Sequence, residues 1–560
     1  MKRNSVIRFF AFVGGIIVLN LILSSYFFRI DLTEDQRYSM TAATISQLQN
    51  LKKEVSVIVY LEGDMPAGFK RLRNATEEKL REFEIYAHGK INFHFIDPSS
   101  VGYKKAQNKF YSELAAKGIL PNNVHYTENE QTIEKLVFPY ALVVYEGKEL
   151  PVLLLKGTKG TSAEEKLNQS AENIEYELAT AIRKLTIEKK QTIGFITGHG
   201  EPVGKDSVID LRTADFMKGL SDYYNIAQVE LSDFPDTSLQ NALDAIILIK
   251  PDTAFSEADK YKLDQFIVNG GKALFFMDAL KVGEIDNTGT LAVPYDLNLD
   301  DLFFRYGFRV NQNLIKDLVS AKLPMVTNHV GNQSQTEMMP YRYLPLINGF
   351  ANHPITHNTD VIYTKFVSSI DTVKAKGITK IPLLFSSKYS KALGSPVMVS
   401  FNDARRDADP KTFTPGNFPV AYLLEGKFRS LYANRITEID PRFKTFKEYG
   451  KTGKIVVVSD GDIVQNSVSK QGRPMDMGYD PYSGQVFGNR DFALHAVDFL
   501  LDENGLITAR NKQITLRPLD KKKVREEHVQ WQVLNLVLPI IITVIFGLVW
   551  SFLRKQTYGK

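Results

Sequence analysis

The 560 residues include no cysteine. That absence removes disulfides, thiol redox chemistry, cysteine nucleophiles and cysteine-based zinc sites together. Charge of one sign is also lacking. Sixty-nine Lys and Arg face 64 Asp and Glu, a formal net charge of +5. No basic stripe interleaved with aromatics occurs, so no nucleic-acid partner is expected. No Gly-x4-Gly-Lys-Ser/Thr P-loop, no Gly-x-Gly-x-x-Gly fingerprint and no Gly-x-Ser-x-Gly elbow is found. Residues 157–162 (GTKGTS) read as a flexible polar loop. The chain is therefore not expected to hydrolyse ATP itself. Hydrophobic residues make up 44% and charged residues 24%, too polar for a many-span permease. At roughly 100–200 residues per domain, about three domains fit.

Long apolar runs occur only at the two ends. Residues 9–28 are broken by Gly14, Gly15, Asn20, Ser24 and Ser25 alone. A helix of this length crosses a hydrocarbon layer of ~30 Å. The run ends Ser-Ser-Tyr-Phe-Phe-Arg, a poor cleavage site, so an uncleaved anchor is expected. The second run is 533–553. The only two tryptophans, Trp531 and Trp550, bracket it. Nineteen positions of helix separate them, about 28 Å, which suits indoles at both headgroup levels. Pro539 is expected to be tolerated, with a kink. Lys2, Arg3 and Arg8 favour a cytoplasmic start. Two spans then return Arg554, Lys555 and Lys560 to the cytoplasm. The run Lys521, Lys522, Lys523 and Arg525 reads as a solvated linker or as a contact with anionic headgroups.

The residues between the spans alternate in strand and helix patterns, which implies α/β architecture. Strands are expected at 54–61, 90–96, 140–145 and 150–155. Helices are expected at 69–87, 104–117 and 171–185. This is a βαβ unit followed by a ββ pair. A second unit opens with a strand at 192–197 and the loop Gly198-His199-Gly200-Glu201. It continues with helices at 211–223 and 257–268 and strands at 226–231, 245–250 and 273–277. Residues 283–450 lose this rhythm and read as a long insertion rich in Pro, Asn and Tyr. A strand at 454–459 resumes the sheet, with Asp460-Gly461-Asp462 at its end. Gly488-Asn489-Arg490-Asp491 opens a last helix to Leu501.

In open parallel sheets, ligands sit beyond the carboxyl ends of strands. His199 and Glu201 lie on such a loop, yet no nucleophile or metal partner accompanies them. A tight turn explains the glycines, and ligand or partner contact is the alternative. Asp460, Asp462, Asn489 and Asp491 are expected near one strand-end crevice. Hard cations take such oxygen ligands. These residue types are also common in turns and helix caps, and no metal is assigned. His353 and His357 flank Pro354, which prevents one helix face from presenting both. In the spans, Ala11 and Gly15, and Gly547 and Ser551, are pairs four apart. Such pairs allow close helix packing.

Several segments resemble the GldG family, the auxiliary component of the gliding-motility ABC transporter of Bacteroidetes. They are Arg29-Ile-Asp-Leu-Thr-Glu-Asp-Gln-Arg-Tyr-Ser-Met, Phe195-Ile-Thr-Gly-His-Gly-Glu, Tyr343-Leu-Pro-Leu-Ile-Asn-Gly-Phe with Asn352-His-Pro-Ile-Thr, Val457-Val-Ser-Asp-Gly-Asp, and Gly488-Asn-Arg-Asp. The resemblance covers nearly the whole chain. It implies a GldF-like permease partner, a GldA-like ATPase partner and a role in gliding. It also implies a thioredoxin-like first domain and a second domain like that of an intraflagellar transport subunit. Without cysteine, thioredoxin chemistry is excluded.

The expected layout is a cytoplasmic tail (1–8), a first span (9–28), a thioredoxin-like α/β domain (29–188) and a second α/β domain (189–510). The second domain is an open, mostly parallel sheet with its insertion at 283–450. A charged linker (511–532), a second span (533–553) and a cytoplasmic tail (554–560) follow. The expected function is a non-enzymatic auxiliary subunit in the inner membrane, both termini cytoplasmic and the bulk periplasmic. It needs no cofactor, and a homo-oligomer stays open. The alternative is a structural scaffold of a motility or secretion apparatus.

Overall fold

The structure, a computed structural model, describes residues 12–15, 39–128, 131–156, 162–205, 208–235, 238–286, 288–330, 333–511 and 521–558. Of the expected first span only residues 12–15 are described, as helix; Ala11, the loop at 157–161 and most of the segment 29–40 lie outside. The fold is mixed α/β, and residues 39–511 belong to one compact unit.

The first sheet is built by α1 (Ala42–Gln49), β1 (Val55–Val59), α2 (Ala67–Tyr86), β2 (Ile91–Phe95), α3 (Lys104–Ala116), β3 (Tyr140–Tyr145), β4 (Lys148–Leu153) and α4 (Ala163–Thr186). Its strand order is β2-β1-β3-β4. β1 runs parallel to β2, while β3 is antiparallel to both β1 and β4. The period of two in the β-branched runs sorts side chains to opposite faces. Val55, Val57, Ala141 and Val143 pack with Leu72, Leu80 and Phe83 of α2 and Leu178 and Ile182 of α4. Ile58, Leu142 and Val144 pack with Phe110 and Leu114 of α3. An added hairpin, Asn122–Glu128 with Gln131–Val137, has no counterpart in the sequence reading. Among its described side chains Asn122, Asn123 and Glu134 are exposed, Val124 is half-buried and Val137 is buried.

The second sheet is built by β5 (Thr192–Thr197), α5 (Ala214–Ser221), β6 (Asn225–Glu230), β7 (Ala245–Ile249), α6 (Glu257–Val268), β8 (Lys272–Phe276), β9 (Ile378–Phe385), β10 (Pro419–Gly426), β11 (Gly453–Val458) and α7 (Asn489–Leu501). The order is β6-β5-β7-β8-β11-β10-β9, closed by the short strand Gly349–Phe350. The five strands from β6 to β11 are parallel. α5 and α7 cover one face, on Phe195, Ile247, Leu274 and Val456. α6 covers the other, on Ile246, Leu248, Phe275 and Val457.

The expectation that 283–450 stands outside the sheet needs correction. β9 and β10 come from it and extend the sheet in antiparallel pairing, as does Gly349–Phe350. Pro382 within ITKIPLLF masks β9. It sits at a register shift, where a residue without an N–H is tolerated.

α4 belongs to both halves of the unit. It packs on the first sheet and also meets α7 and the 3-10 turn Leu506–Asn511. Arg183 lies 3.3 Å from Asp502, and the Gln47 side chain of α1 donates to Ala179 O at 2.9 Å. Leu506 completes the cluster that holds Leu48 and Leu51. The first and last described parts of this unit, near residues 39–51 and 506–511, therefore pack side by side.

α8 (Lys521–Tyr558) forms the other unit. Within it, Val529–Gln556 is long and apolar enough to cross a membrane, with a mean hydropathy of 2.6 over its most apolar window and none of that window buried. This encloses the expected 533–553 span. The helix begins at Lys521, so the second half of the expected charged linker is helical. Pro539 lies inside the helix, and the Thr543 hydroxyl donates to its carbonyl at 2.7 Å.

Candidate functional site

The carboxyl ends of β5, β7, β8 and β11 open on one edge of the second sheet, and each carries polar residues. After β5 the chain must turn within Gly198-His199-Gly200. Gly200 has φ +84°, and a Cβ there would lie 1.7 Å from Asp252 Oδ1. The close approach lets the His199 carbonyl accept from the N–H groups of Asp252 (2.9 Å) and Thr253 (3.1 Å). The buried His199 ring stacks on Phe255 with centroids 3.7 Å apart. Its Nδ1 faces Glu201 at 3.4 Å and its Nε2 faces Asp259 at 3.5 Å. Glu201 also accepts from the His199 N–H at 2.7 Å. Burial lowers the imidazole pKa, but Glu201 and Asp259 outweigh it and hold it above the ordinary value. The pair is thus a clasp between the end of β5 and the first turn of α6.

A second cluster lies on the neighbouring strand ends. Lys250 follows β7 with φ +46°, Asp278 lies just beyond β8, and Asp460 and Asp462 lie beyond β11. Lys250 Nζ is 3.0 Å from Asp278 and 2.5 Å from Asp462. Asp278 accepts from the Gly461 N–H at 2.7 Å. Asp460 accepts from the N–H groups of Asp462 and Lys365, each at 2.7 Å. Burial, then the carboxylates of Asp462 and Asp278, raises the pKa of Asp460 well above the usual range. Burial also raises Asp278. Burial pushes Asp462 up too, but Lys250 prevails and its pKa falls. For Lys250 burial is outweighed by Asp462 and Asp278, so its pKa rises.

Oxygen atoms of Asp278, Asp460 and Asp462 lie within 4.8 Å of one another, and this donor set suits a hard cation. Lys250 already supplies the neutralising charge between two of them. The arrangement is therefore a salt cluster of one ammonium among three carboxylates.

The expected gathering of four residues holds only for Asp460 and Asp462. Asn489 is buried and ties α7 to other chain segments. Its amide donates to Tyr363 O (2.8 Å) and Ile463 O (3.1 Å) and accepts from the Tyr363 N–H (2.9 Å). Asp491 is exposed and lines a cavity elsewhere, between the two sheets. Sequence reading missed Lys250 and Asp278. Both stand within two residues of a strand's carboxyl end, the position that singled out Asp460 and Asp462. In α8, a Cβ on Gly547 would meet no atom within 4 Å, and Ser551 is exposed one turn on. Gly15 is likewise open.

A family model described as ABC-type uncharacterized transport system matches residues 190–496, more than half of the chain. The chain belongs to this family. Within the ABC-type uncharacterized transport system family it is an auxiliary component of an ABC-type transport system. A second model, a domain of unknown function, matches residues 34–144. No curated protein matches. Among solved structures, the mmIFT52 N-terminal domain aligns at 14% identity and TM-score 0.32, over 55% of this chain and 96% of that one. A ThuA-like protein from Bacteroides uniformis aligns at 14% identity and TM-score 0.25, over 56% and 92%. The exo-beta-1,4-mannosidase Op5Man5 from Opitutaceae bacterium strain TAV5 aligns at 9% identity and TM-score 0.20, over 73% and 47%.

Proposed function

We propose that the chain is a non-enzymatic, membrane-anchored auxiliary subunit of the GldG kind, held against a GldF-like permease and a GldA-like ATPase in a complex that supports gliding. The carrying observation is the family match over 190–496 in a chain that also bears α8, an apolar helix with no protein cover. Such a surface needs lipid or other helices. Residues 9–28 supply the second anchor, with both termini cytoplasmic and residues 39–511 outside. The strand order β2-β1-β3-β4, a βαβ unit joined to a ββ pair, supports a thioredoxin-like first domain. Two features support the non-enzymatic reading. The sequence has no P-loop. The two strand-end clusters spend their charges on each other and on neighbouring backbone.

Extraction from native membranes in mild detergent, followed by identification of co-purifying chains, tests this. An ABC permease and an ABC ATPase are expected in stable ratio, with all ATP turnover residing in the ATPase. Recovery with envelope scaffold proteins and no permease would replace the transporter role with a structural one.

A further inference from the structure

The loop between β10 and β11, residues 427–451, carries most of the charge excess of the chain. It holds seven Lys and Arg against three Asp and Glu, +4 of the formal +5 of all 560 residues. Two of its carboxylates are paired within the loop: Glu448 with Arg429 at 2.8 Å and Asp440 with Arg442 at 2.7 Å. Lys427, Arg435, Lys444, Lys447 and Lys451 are exposed and form no ion pair among the described residues.

The same loop presents bare apolar side chains. Ile439 is 93% exposed, more than any other large apolar side chain among the described residues, those of α8 included. Phe443, four positions on, and Tyr449 are exposed as well. A single exposed apolar residue is ordinary. Here three share one basic loop, and the fold holds them out. Pro441–Lys444 is a 3-10 turn capped by the Asp440 side chain, which accepts from the Arg442 N–H at 2.9 Å. Arg442 Cζ lies 4.9 Å from the centre of the Tyr261 ring on α6, and Ile436 packs inward with Tyr261 and Tyr432. Ile439 and Phe443 flank the tip of a braced knuckle.

The base of the loop lies at the amino-end edge of the second sheet. The Lys447 N–H donates to the Gln265 side chain at 2.8 Å, Gly450 abuts Val268 and Asn269, and Lys451 abuts Gly270. Lys272, which opens β8, pairs with Glu503 at 3.3 Å, just ahead of the turn Leu506–Asn511. The chain leaves this unit at the edge where the loop is rooted.

Four of the five unpaired cations are lysines, a residue depleted in protein–protein interfaces. Lysines around small apolar tips suit an anionic bilayer instead. There each cation gains from the surface potential, and apolar side chains enter the headgroup boundary. A tether to the same bilayer raises the local concentration of headgroups, so a weak contact suffices.

We propose that the knuckle at Ile439 and Phe443, with its surrounding cations, docks on anionic lipid headgroups. This rests on the reading of α8 as a membrane anchor.

Because the chain has no cysteine, Ile439→Cys takes a polarity-sensitive dye at one site. The labelled full-length protein is placed in nanodiscs of phosphatidylcholine alone or of an equimolar mixture with phosphatidylglycerol. A blue shift of the emission is expected in the anionic discs only. It should vanish in about 1 M salt, where the Debye length falls to about 3 Å. It should also vanish when Arg435→Gln, Lys444→Gln, Lys447→Gln and Lys451→Gln are combined. A dye at Tyr103→Cys, exposed just ahead of α3, should not respond. Equal emission in the two lipids, a shift retained in the Gln variant, or an equal shift at Tyr103→Cys would overturn the proposal. So would a shift that requires co-purified membrane proteins whatever the lipid, which would make a protein the occupant. Incorporation is read separately, by co-elution with the disc. A chain that fails to co-elute refutes the anchor, and vesicles of the same two lipids added to it still decide the headgroup contact by the same shift.

Discussion

Two of the polar residues at the strand ends behave as opposite halves of one electrostatic rule. His199 is a cation partner brought to fixed carboxylates, and its pKa is held above the unfolded value of about 6.5. Its charge therefore contributes fully below that value, and the contribution is lost as pH rises through the folded pKa. His199→Phe keeps the stack on Phe255 and removes the charge. The expected loss in urea unfolding is about 1–2 kcal/mol near pH 5.5, shrinking near pH 8.5. A gap independent of pH would mean that the ring acts by stacking alone. Lys250 supplies the charge that its carboxylates need. Lys250→Met leaves those carboxylates uncompensated and should cost about 3–5 kcal/mol at neutral pH. The penalty should shrink as the pH is lowered, because burial raises the pKa of Asp278 and Asp460 and protonation removes their charge. Excess Mn²⁺ should re-stabilise the variant and leave the parent chain unchanged, read by thermal unfolding. His199 and Glu201 could be singled out as a pair because both lie in one short loop; the contact of His199 with Asp259 of α6 could not. Lys250 and Asp278 were not legible either, since only the sheet order brings residues 250, 278 and 460 to one edge.

Helix α6 shows what local pattern can and cannot carry. Its bounds follow from Ser256, whose side chain caps the N-terminus by accepting from the Asp259 N–H. Its burial on nearly every side does not follow. Lys262 is buried and donates to Leu231 O at 2.7 Å. Asp264 is buried and accepts from Tyr306, Leu431 and Ser430. Charged residues of this helix are thus interior struts, with partners up to 167 positions away. β9 and β10 were hidden for a related reason: Pro382 interrupts the apolar run of β9, and the two gain meaning only as strands laid in turn beside β11. In α8 the local pattern suffices, because a bare apolar helix has no tertiary partner to consult. Gly547 leaves room on its surface for close backbone approach, as does Gly15 in the first run. Replacing both with Leu should weaken recovery of the membrane partners while insertion stays complete, measured by co-purification and by membrane fractionation. Full recovery would assign assembly to the residues outside the spans.

For the molecule as a whole, the first question is which side of the membrane holds residues 39–511. A reporter that is active only outside the cytoplasm should be active when fused near Gly289 and silent after Lys560. The reverse would overturn the topology proposed from Lys2, Arg3 and Arg8. A mechanical consequence follows from the packing of α1 against the turn Leu506–Asn511. A pull on the chain at residue 39 and at residue 511 enters at neighbouring points and does not stretch the fold from end to end. The load falls on α1, α4 and the Leu506 contact, and both sheets are spared. Force drawn through its ends would reorient it before unfolding it.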